Sequence, residues 1–398
     1  MPATRKSVIV LPDGATDERL PQLGGQTPLE AARIPHMDWV AANGELGRIV
    51  TIPPGFTPGT DVGTLTLLGY DPHRYYNGRA PIEACAKGLE TRPDQLIFRC
   101  NFVTIVDGRM KDFTAGHIAQ GEAGALVMAL NAALAAEDCT FHAGVSYRNL
   151  LLLGEAAEMK LTCAPPHDIP DQPVADHVPR GTGAERVMAI MARAREVLAA
   201  HPVNAARRRA GRDPVTDIWL WGQGQPTTLQ PFAAKYGVRA AAITAVDIIR
   251  GMAVATGMDL IAVPGATGYI DTDYDAKGRH AVAALQRYDC VVVHVEAADE
   301  AGHLGDAAAK VTALERIDAA VVGPLLAALR RYPEWRMLVA PDHPTPASTK
   351  AHSAVPPHYA FAGTGVTVSG GPRFTEAAAL ATGRLETAGH TLLARFFA

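Results

Sequence analysis

The chain has 398 residues, a formal net charge of −4 and 48% hydrophobic residues. This length favours two domains, and the hydrophobic fraction is sufficient for a buried core. The weak charge argues against nucleic acid or a membrane surface as a partner, and no run of about 18 apolar residues predicts a membrane span. Five scattered cysteines without a CxxC motif, and an N-terminus without a signal peptide, predict reduced thiols in a cytoplasmic protein.

Short apolar strands alternate with alanine-rich helical stretches along most of the chain. The first strand is predicted over 7–11, and Thr27 followed by Pro28 indicates the start of a helix. Two β-prone runs flank Asp107-Gly108 and predict a hairpin over 99–113. The other predicted elements are a strand over 44–52, helices over 119–136 and 183–200, and a strand–helix series from 238 to about 342. The strand–helix alternation predicts a doubly wound α/β sheet, and the hairpin-rich middle part predicts that an α+β domain is inserted into it.

Acidic and histidine residues follow several of the apolar runs near both ends of the chain. They are Asp13, then Asp299 with His303, then Asp342 with His343, and finally His352. Open α/β sheets place their sites at the carboxyl ends of the strands. Carboxylate and neutral imidazole together suit Mn²⁺ or Zn²⁺, and no cysteine lies near enough in sequence to favour a thiolate site. Two such metals about 3.5–4 Å apart can activate a nucleophile and clamp a phosphoryl group.

A hydroxyl and an acid, Thr60-Asp61, lie in a Gly/Pro-rich loop. Threonine in such a loop is a candidate nucleophile, although a turn hydroxyl is the alternative. The glycine-rich stretches 222–225 and 265–268 match neither the P-loop pattern nor the dinucleotide-binding pattern. We therefore expect no nucleotide site.

These motifs resemble the alkaline phosphatase superfamily and, within it, the short archaeal-type branch of the cofactor-independent (2,3-bisphosphoglycerate-independent) phosphoglycerate mutases. The resemblance runs nearly end to end and is carried by residues 23–32, 58–61, 67–72, 75–79, 263–268, 299–306 and 341–346. It implies an alkaline-phosphatase-like core at 1–73 and 235–398, with a substrate or cap domain at 74–234. It also implies a glycolytic isomerase that uses two divalent ions, Mn²⁺ or Zn²⁺ rather than Mg²⁺, as a monomer or a homo-oligomer.

The resemblance gives each candidate residue a role. Seven residues match the family's metal ligands: Asp13, Thr60, Asp342 and His343 for one ion, and Asp299, His303 and His352 for the other. Thr60 stands where the family usually has a nucleophilic serine, which implies a phosphothreonine intermediate. Lys277 matches a lysine that stabilises the pentacoordinate phosphorus. Thr64 stands where the family usually has histidine or asparagine.

Phosphoglycerate carries a carboxylate and a phosphate, so its site is expected to contain arginines. The candidates in the inserted domain are Arg79, Arg99, Asn101, His117, Arg148, Asp168 and Arg207. Arg79 is favoured because it ends a stretch typical of the family. A solvated charge run is the alternative for Arg207, and a turn is the alternative for His117.

Three activities on a small phosphorylated metabolite remain open at this stage. A phosphomutase is favoured by the full set of motifs. A phosphotransferase to another small hydroxyl compound is suggested by 166–169 and 219–224, which resemble a branch proposed to act as homoserine kinases. A metal-dependent phosphohydrolase is the third possibility, because the same ligands and nucleophile serve hydrolysis.

Overall fold

The computed structural model describes residues 5–398. They form two compact units: the first comprises the described residues up to Tyr76 together with Thr228–Ala398, and the second is Asn77–Thr227. Across 5–398 no helix is both long enough and apolar enough to cross a membrane.

The strands are numbered in chain order: β1 (Lys6–Pro12), β2 (Gly44–Ile49), β3 (Leu96–Val106), β4 (Arg109–Asp112), β5 (Cys139–Val145), β6 (Arg148–Leu153), β7 (Lys160–Thr162), β8 (Arg180–Thr182), β9 (Asp217–Gly224), β10 (Ala240–Ile243), β11 (Asp259–Leu260), β12 (Cys290–Val295), β13 (Trp335–Val339), β14 (His358–Gly363) and β15 (Leu385–Glu386).

The α-helices are α1 (Pro28–Ala31), α2 (Pro35–Ala42), α3 (Thr60–Leu67), α4 (Pro72–Tyr75), α5 (Arg79–Ala86), α6 (Gln120–Ala133), α7 (Ala184–Ala200), α8 (Pro202–Arg209), α9 (Phe232–Tyr236), α10 (Asp247–Ala255), α11 (Tyr274–Ala284), α12 (Ala297–Leu304), α13 (Ala307–Ile317), α14 (Gly323–Leu329), α15 (Glu376–Ala381) and α16 (Leu392–Phe397).

The first unit is organised around a sheet in the order β11-β10-β12-β1-β13-β14-β2-β15. The central strands β10, β12, β1 and β13 are parallel, whereas β14 runs antiparallel to both of its neighbours. All six residues of β12 are buried, as expected of a parallel strand covered on both faces. The sheet therefore presents the carboxyl ends of its central strands at one edge.

The helix predicted at Thr27 is confirmed at its start but is short. The Thr27 hydroxyl accepts from the backbone N–H of Glu30, and the Glu30 carboxylate accepts from the N–H of Thr27, which completes a capping box. The helix α1 ends at Ala31, and α2 begins at Pro35. A proline disfavours helical backbone at the preceding residue, which accounts for the break.

The second unit is an α+β structure with its own core. Its main sheet has the order β4-β3-β6-β5, and β9 pairs with β3. The predicted hairpin is confirmed: β3 and β4 are antiparallel and are joined by Asp107 and Gly108, both with positive φ. The helices predicted over 119–136 and 183–200 are α6 and α7. The α/β fold class with an inserted α+β part is confirmed.

Candidate active site

The central strands bring residues from opposite ends of the sequence to one edge of the sheet. In the register of β1 with β12, Leu11 lies opposite His294 and Pro12 lies opposite Val295. The backbone N–H of Asp13 donates to the carbonyl of Val295 at 3.0 Å. Because β13 runs parallel to β1 on its other side, its carboxyl end leads to Asp342 at the same edge.

One group of predicted ligands surrounds the side chain of His343. The His343 Nε2 lies 3.5 Å from Asp13 Oδ1, 3.4 Å from Asp342 Oδ2 and 3.3 Å from Thr60 Oγ1. Asp13, Asp342 and His343 are completely buried, and Thr60 is 6% exposed. The four residues assigned to one metal therefore lie together.

The second group is formed by Asp299, His303 and His352. The Asp299 carboxylate lies 3.2 Å from His303 Nε2 and 3.5 Å from His352 Nε2, and the two Nε2 atoms are 2.9 Å apart. The Nδ1 atoms of both rings face backbone carbonyls, at 3.0 Å to Lys350 and 3.4 Å to Pro58. Each Nδ1 therefore has a carbonyl to which it can donate, so both Nε2 atoms would be available to a bound cation in the same place.

Two residues at this edge, the buried His294 and the partly buried Glu296, were not among the sequence candidates. The His294 Nε2 lies 2.8 Å from Asp13 Oδ2, and its Nδ1 lies 3.3 Å from the hydroxyl of Thr244. Glu296 lies next to them, 3.5 Å from His294 Nε2. His294 is the one polar residue in the apolar run 290–295, and that interruption was a signal in the sequence.

Burial and the proximity of several carboxylates shift the pKa values of this site. Burial, followed by repulsion from the Asp342 carboxylate, raises the pKa of Asp13 well above its usual range. Burial raises the pKa of Glu296 to about 8. Burial also opposes ionisation of Asp299, but hydrogen bonds from His303 and His352 hold its pKa well below the usual range. The hydrogen bond with Asp299 raises the pKa of His303 to about 9.

The donor atoms fit divalent ions. Asp13 Oδ1 and Glu296 Oε2 are buried and have no hydrogen-bond partner among the described residues. Three sets of side chains bring one donor atom each within 4.8 Å of one another: Asp299–His343–His352, Asp13–Asp342–His343 and Asp13–His294–Glu296. Oxygen and imidazole donors without thiolate are a set that suits Mn²⁺ or Zn²⁺.

Thr60 is the first residue of α3, and Gly59 precedes it with extended backbone. Backbone N–H groups at a helix N-terminus favour negative charge, which is a suitable environment for an oxyanion. A Cβ atom at Gly63 would lie 2.5 Å from the carbonyl oxygen of Asp342, so glycine permits this close approach. The Thr64 hydroxyl donates to Asp342 Oδ2 at 3.5 Å. The segment therefore holds Thr60 against the ligand groups.

Lys277 lies in α11 and is 1% exposed. Its ammonium donates to the carbonyl of His294 at 3.1 Å. Burial lowers the pKa of Lys277 to about 8, and the Glu296 carboxylate opposes this shift. The ammonium of Lys277 therefore contacts the backbone of His294, and the side chain of His294 in turn bonds Asp13.

The second unit gathers three of the predicted arginines. Arg79 and Arg99 each donate from Nε to the carboxylate of Glu83, at 3.2 and 3.1 Å. The Arg99 guanidinium stacks 4.1 Å from the ring centre of Trp221, and burial, with repulsion from Arg79 and Arg148, lowers its pKa to about 10. The Glu83 carboxylate thus joins two guanidinium groups, and Arg148 lies near enough to Arg99 to repel it.

The other substrate candidates have different surroundings. Asn101 accepts a hydrogen bond from the indole N–H of Trp221 at 3.1 Å, which places it beside the arginine cluster. Asp168 is exposed and adjacent to His167, whose ring lies 5.1 Å from that of Trp221. His117 occupies a turn with φ of 47°.

Arg207 lies outside this arginine cluster. It is 1% exposed and donates to the Glu122 carboxylate and to the carbonyls of Ala115 and Asp213. A solvated charge run does not describe this arginine. All three of its donor nitrogens are engaged within the second unit, so we assign Arg207 a structural role.

The fold and the cluster define an α/β enzyme whose site lies at the carboxyl ends of parallel strands. A sequence model of the 2,3-bisphosphoglycerate-independent phosphoglycerate mutases matches residues 41–204. The chain is 48% identical to 2,3-bisphosphoglycerate-independent phosphoglycerate mutase 2 of Methanothermobacter thermautotrophicus, over 91% of this chain and 90% of the relative. It is 45% identical to the 2,3-bisphosphoglycerate-independent phosphoglycerate mutase of Methanothrix thermoacetophila, over 94% and 95% of the two chains.

Solved structures are similar over the whole length. The PH0037 protein of Pyrococcus horikoshii has a TM-score of 0.82 and 30% identity, covering 99% of this chain and 96% of that one. The cofactor-independent phosphoglycerate mutase of Thermoplasma acidophilum has a TM-score of 0.69 and 26% identity, covering 98% of each chain. The chain belongs to the 2,3-bisphosphoglycerate-independent phosphoglycerate mutase family.

Proposed function

We propose that the protein interconverts 3-phosphoglycerate and 2-phosphoglycerate through a phosphothreonine intermediate, with two divalent ions in its site. The observation that carries this proposal is the position of Thr60. Its hydroxyl lies 3.3 Å from His343 Nε2, beside the carboxylates of Asp13 and Asp342. A buried hydroxyl among three other ligand groups is suited to nucleophilic attack on phosphorus. Family membership supports phosphoglycerate as the substrate.

The proposed reaction has two transfers. The Thr60 oxygen gives up its proton and forms a bond to phosphorus while the bond from phosphorus to the substrate oxygen breaks. That oxygen takes up a proton, and glycerate remains bound. The other glycerate hydroxyl then gives up its proton and bonds to phosphorus while the bond from Thr60 to phosphorus breaks, and Thr60 regains a proton. Bound divalent ions would favour the Thr60 alkoxide and neutralise charge on the transferring oxygens. The ligands would be Asp13, Thr60, Asp342 and His343 for one ion, and Asp299, His303 and His352 for the other.

Lys277 and the second unit complete the proposal. The buried ammonium of Lys277 would stabilise the charge of the pentacoordinate phosphorus. The cluster of Arg79, Arg99 and Arg148 would bind the carboxylate of the substrate, because guanidinium groups match that anion in shape and charge. The second unit would thereby act as the substrate domain and hold glycerate between the two transfers.

The test follows the substrate by phosphorus NMR. Enzyme treated with a chelator and reloaded with Mn²⁺ or Zn²⁺ should convert 3-phosphoglycerate into the 2-isomer, and chelated enzyme should not. The Mn²⁺-loaded samples are quenched and separated from the paramagnetic ion before spectra are recorded. Free phosphate as the main product would indicate a hydrolase instead. No reaction of the reloaded enzyme would indicate another substrate, such as one for transfer to a small hydroxyl compound.

Substitution of Thr60 tests the intermediate. Thr60→Ala should lose turnover almost entirely, since the nucleophile is gone, whereas Thr60→Ser should remain active. Thr57→Ala, in the same loop and exposed, is the matched control and should behave as wild type. Acid-quenched wild-type enzyme should carry a phosphate-sized mass increase on the peptide that contains Thr60. A Thr60→Ala variant that keeps more than a few per cent of kcat would refute the phosphothreonine route.

A further inference from the structure

Thr345 connects the two groups of candidate ligands through a single hydroxyl. Its Oγ1 donates a hydrogen bond to Asp299 Oδ1, in one group. The same oxygen lies 3.2 Å from Nδ1 of His343, which the sequence assigns to the other group. Thr345 itself is completely buried and was not a candidate from the sequence.

The hydrogen-bonding capacity of the groups fixes the direction of this chain. An ionised carboxylate only accepts, so the single proton of the Thr345 hydroxyl points to Asp299. The Thr345 oxygen must then accept from His343, which places the ring proton on Nδ1. His343 Nε2 is left with its lone pair facing Asp13, Asp342 and Thr60, at 3.3–3.5 Å.

The surroundings hold Thr345 in place. Its carbonyl accepts from the buried ammonium of Lys310 at 2.8 Å, and that ammonium also pairs with Asp17 Oδ2 at 2.7 Å. A Cβ atom at Gly302 would lie 2.4 Å from the carbonyl oxygen of Thr345, so α12 packs directly against this residue. A hydroxyl on such a fixed backbone cannot turn away from both ligands.

We propose that Thr345 is a positioning residue that couples the two metal sites. The chain His343 Nδ1–H to Thr345 Oγ1–H to Asp299 Oδ1 sets the ring tautomer on one side and the carboxylate orientation on the other. Loss of the Thr345 hydroxyl would release the His343 ring and the Asp299 carboxylate together, so both sites would bind a cation more weakly. The inference rests on the proposed use of two divalent ions.

Two variants separate the hydroxyl from the shape of the side chain. Thr345→Val keeps the volume and removes the hydroxyl, and Thr345→Ser keeps the hydroxyl. Thr256→Val is the matched control, because Thr256 is also buried but bonds only carbonyls of its own helix end, Met252 and Ala253. Binding of Mn²⁺ is measured by the electron paramagnetic resonance signal of the free ion, and thermal unfolding is recorded without metal.

Wild type, Thr345→Ser and Thr256→Val should bind two ions per chain with the same affinities. Thr345→Val should bind both ions about 10–100-fold more weakly, the usual effect of losing a group that orients a ligand. Thr345→Val with wild-type affinity, or with a loss at one site alone, would overturn the inference. So would an equal loss of affinity in Thr256→Val, because the effect would then be one of stability alone.

A measurement on the wild-type protein covers the case in which Thr345→Val does not fold. Long-range nitrogen–proton NMR of the Zn²⁺-loaded protein should show the His343 ring protonated at Nδ1, assigned by loss of the signal in His343→Asn. A ring protonated at Nε2 would overturn the inference. Wild-type protein that binds two ions and shows this tautomer but lacks mutase activity would support the role of Thr345 and refute the proposed substrate.

Discussion

Replacement of His294 by leucine tests whether this histidine orients Asp13. The side chain is 1% exposed, and its Nε2 lies 2.8 Å from Asp13 Oδ2. The Thr244 hydroxyl faces its Nδ1 at 3.3 Å and can donate to it, so the proton belongs on Nε2 and is donated to Asp13. This hydrogen bond satisfies Oδ2 and leaves Oδ1 of Asp13 free to bind a cation.

The magnitude follows from the two hydrogen bonds that His294→Leu removes. A hydrogen bond to a charged group contributes about 1.5–3 kcal/mol and a neutral one about 1 kcal/mol, so the folded protein should lose about 2.5–4 kcal/mol. Leucine is close to histidine in volume, which keeps the cost of repacking small. Loss of the group that orients a ligand should also weaken metal binding about 10–100-fold, or about 1.4–2.7 kcal/mol.

His358→Leu is the matched control. His358 is also 1% exposed, lies on β14 of the same sheet and faces a threonine hydroxyl, that of Thr16 at 3.3 Å. Its Nε2 has no hydrogen-bond partner among residues 5–398, so the substitution removes one neutral hydrogen bond and costs about 1 kcal/mol.

The assay combines urea unfolding of the metal-free variants with equilibrium dialysis against Mn²⁺ and elemental analysis. We expect a loss of stability in both variants and a loss of metal affinity in His294→Leu alone. Metal affinity of His294→Leu within twofold of that of His358→Leu would refute the reasoning, because Asp13 would then be held without His294.

Three further predictions concern other parts of the chain. Arg79→Ala should cost about 2–4 kcal/mol of transition-state binding, measured as a lower kcat/KM that comes mainly from a higher KM, with metal content unchanged. An unaltered kcat/KM would mean that Arg79 does not bind substrate. Arg207→Met should destabilise folding by about 2–4 kcal/mol in urea, because it removes the hydrogen bonds to the Glu122 carboxylate and to two backbone carbonyls, while Arg212 still pairs with Glu122; a loss below about 1 kcal/mol would contradict a structural role. Burial raises the pKa of Glu376 to about 7, so the folded state binds more protons than the unfolded state between pH 4.5 and that value. The contribution of Glu376 to the free energy of unfolding should therefore fall as pH rises through this range, and Glu376→Gln should lose that dependence. A Glu376→Gln variant whose free energy of unfolding depends on pH as in wild type would contradict this prediction.

Local features of the sequence were sufficient for much of the fold. The apolar run at 7–11 gave β1, the Thr27-Pro28 pair gave the start of α1, and Asp107-Gly108 gave the hairpin between β3 and β4. Each of these depends on residues that are neighbours in the chain: a run buried on both faces, a capping hydroxyl, or a turn that needs positive φ. The predicted strand over 44–52 is shorter, Gly44–Ile49, because element ends depend on tertiary contacts.

The candidate metal ligands were identified from the sequence by their types and by family resemblance, and their proximity came from the order of the strands. Asp13 and Asp342 lie near opposite ends of the chain, and only the placement of β1 between β12 and β13 brings them together. His294 and Thr345 escaped prediction because an isolated polar residue in or after a strand has no local pattern that reports its partner.

The burial of Arg207 could not be predicted for the same reason, because a local pattern does not report the partner of a side chain. Three consecutive arginines are typical of a solvated surface, and no feature of that run indicates which one faces the interior. In the folded chain, α8 presents Arg207 to Glu122 of α6, so the charge is buried with a partner. The sequence by itself determined where strands, caps and turns form, since these are set by neighbouring residues. Tertiary structure decided which polar groups meet, because strand order and helix packing join residues that are distant in the chain.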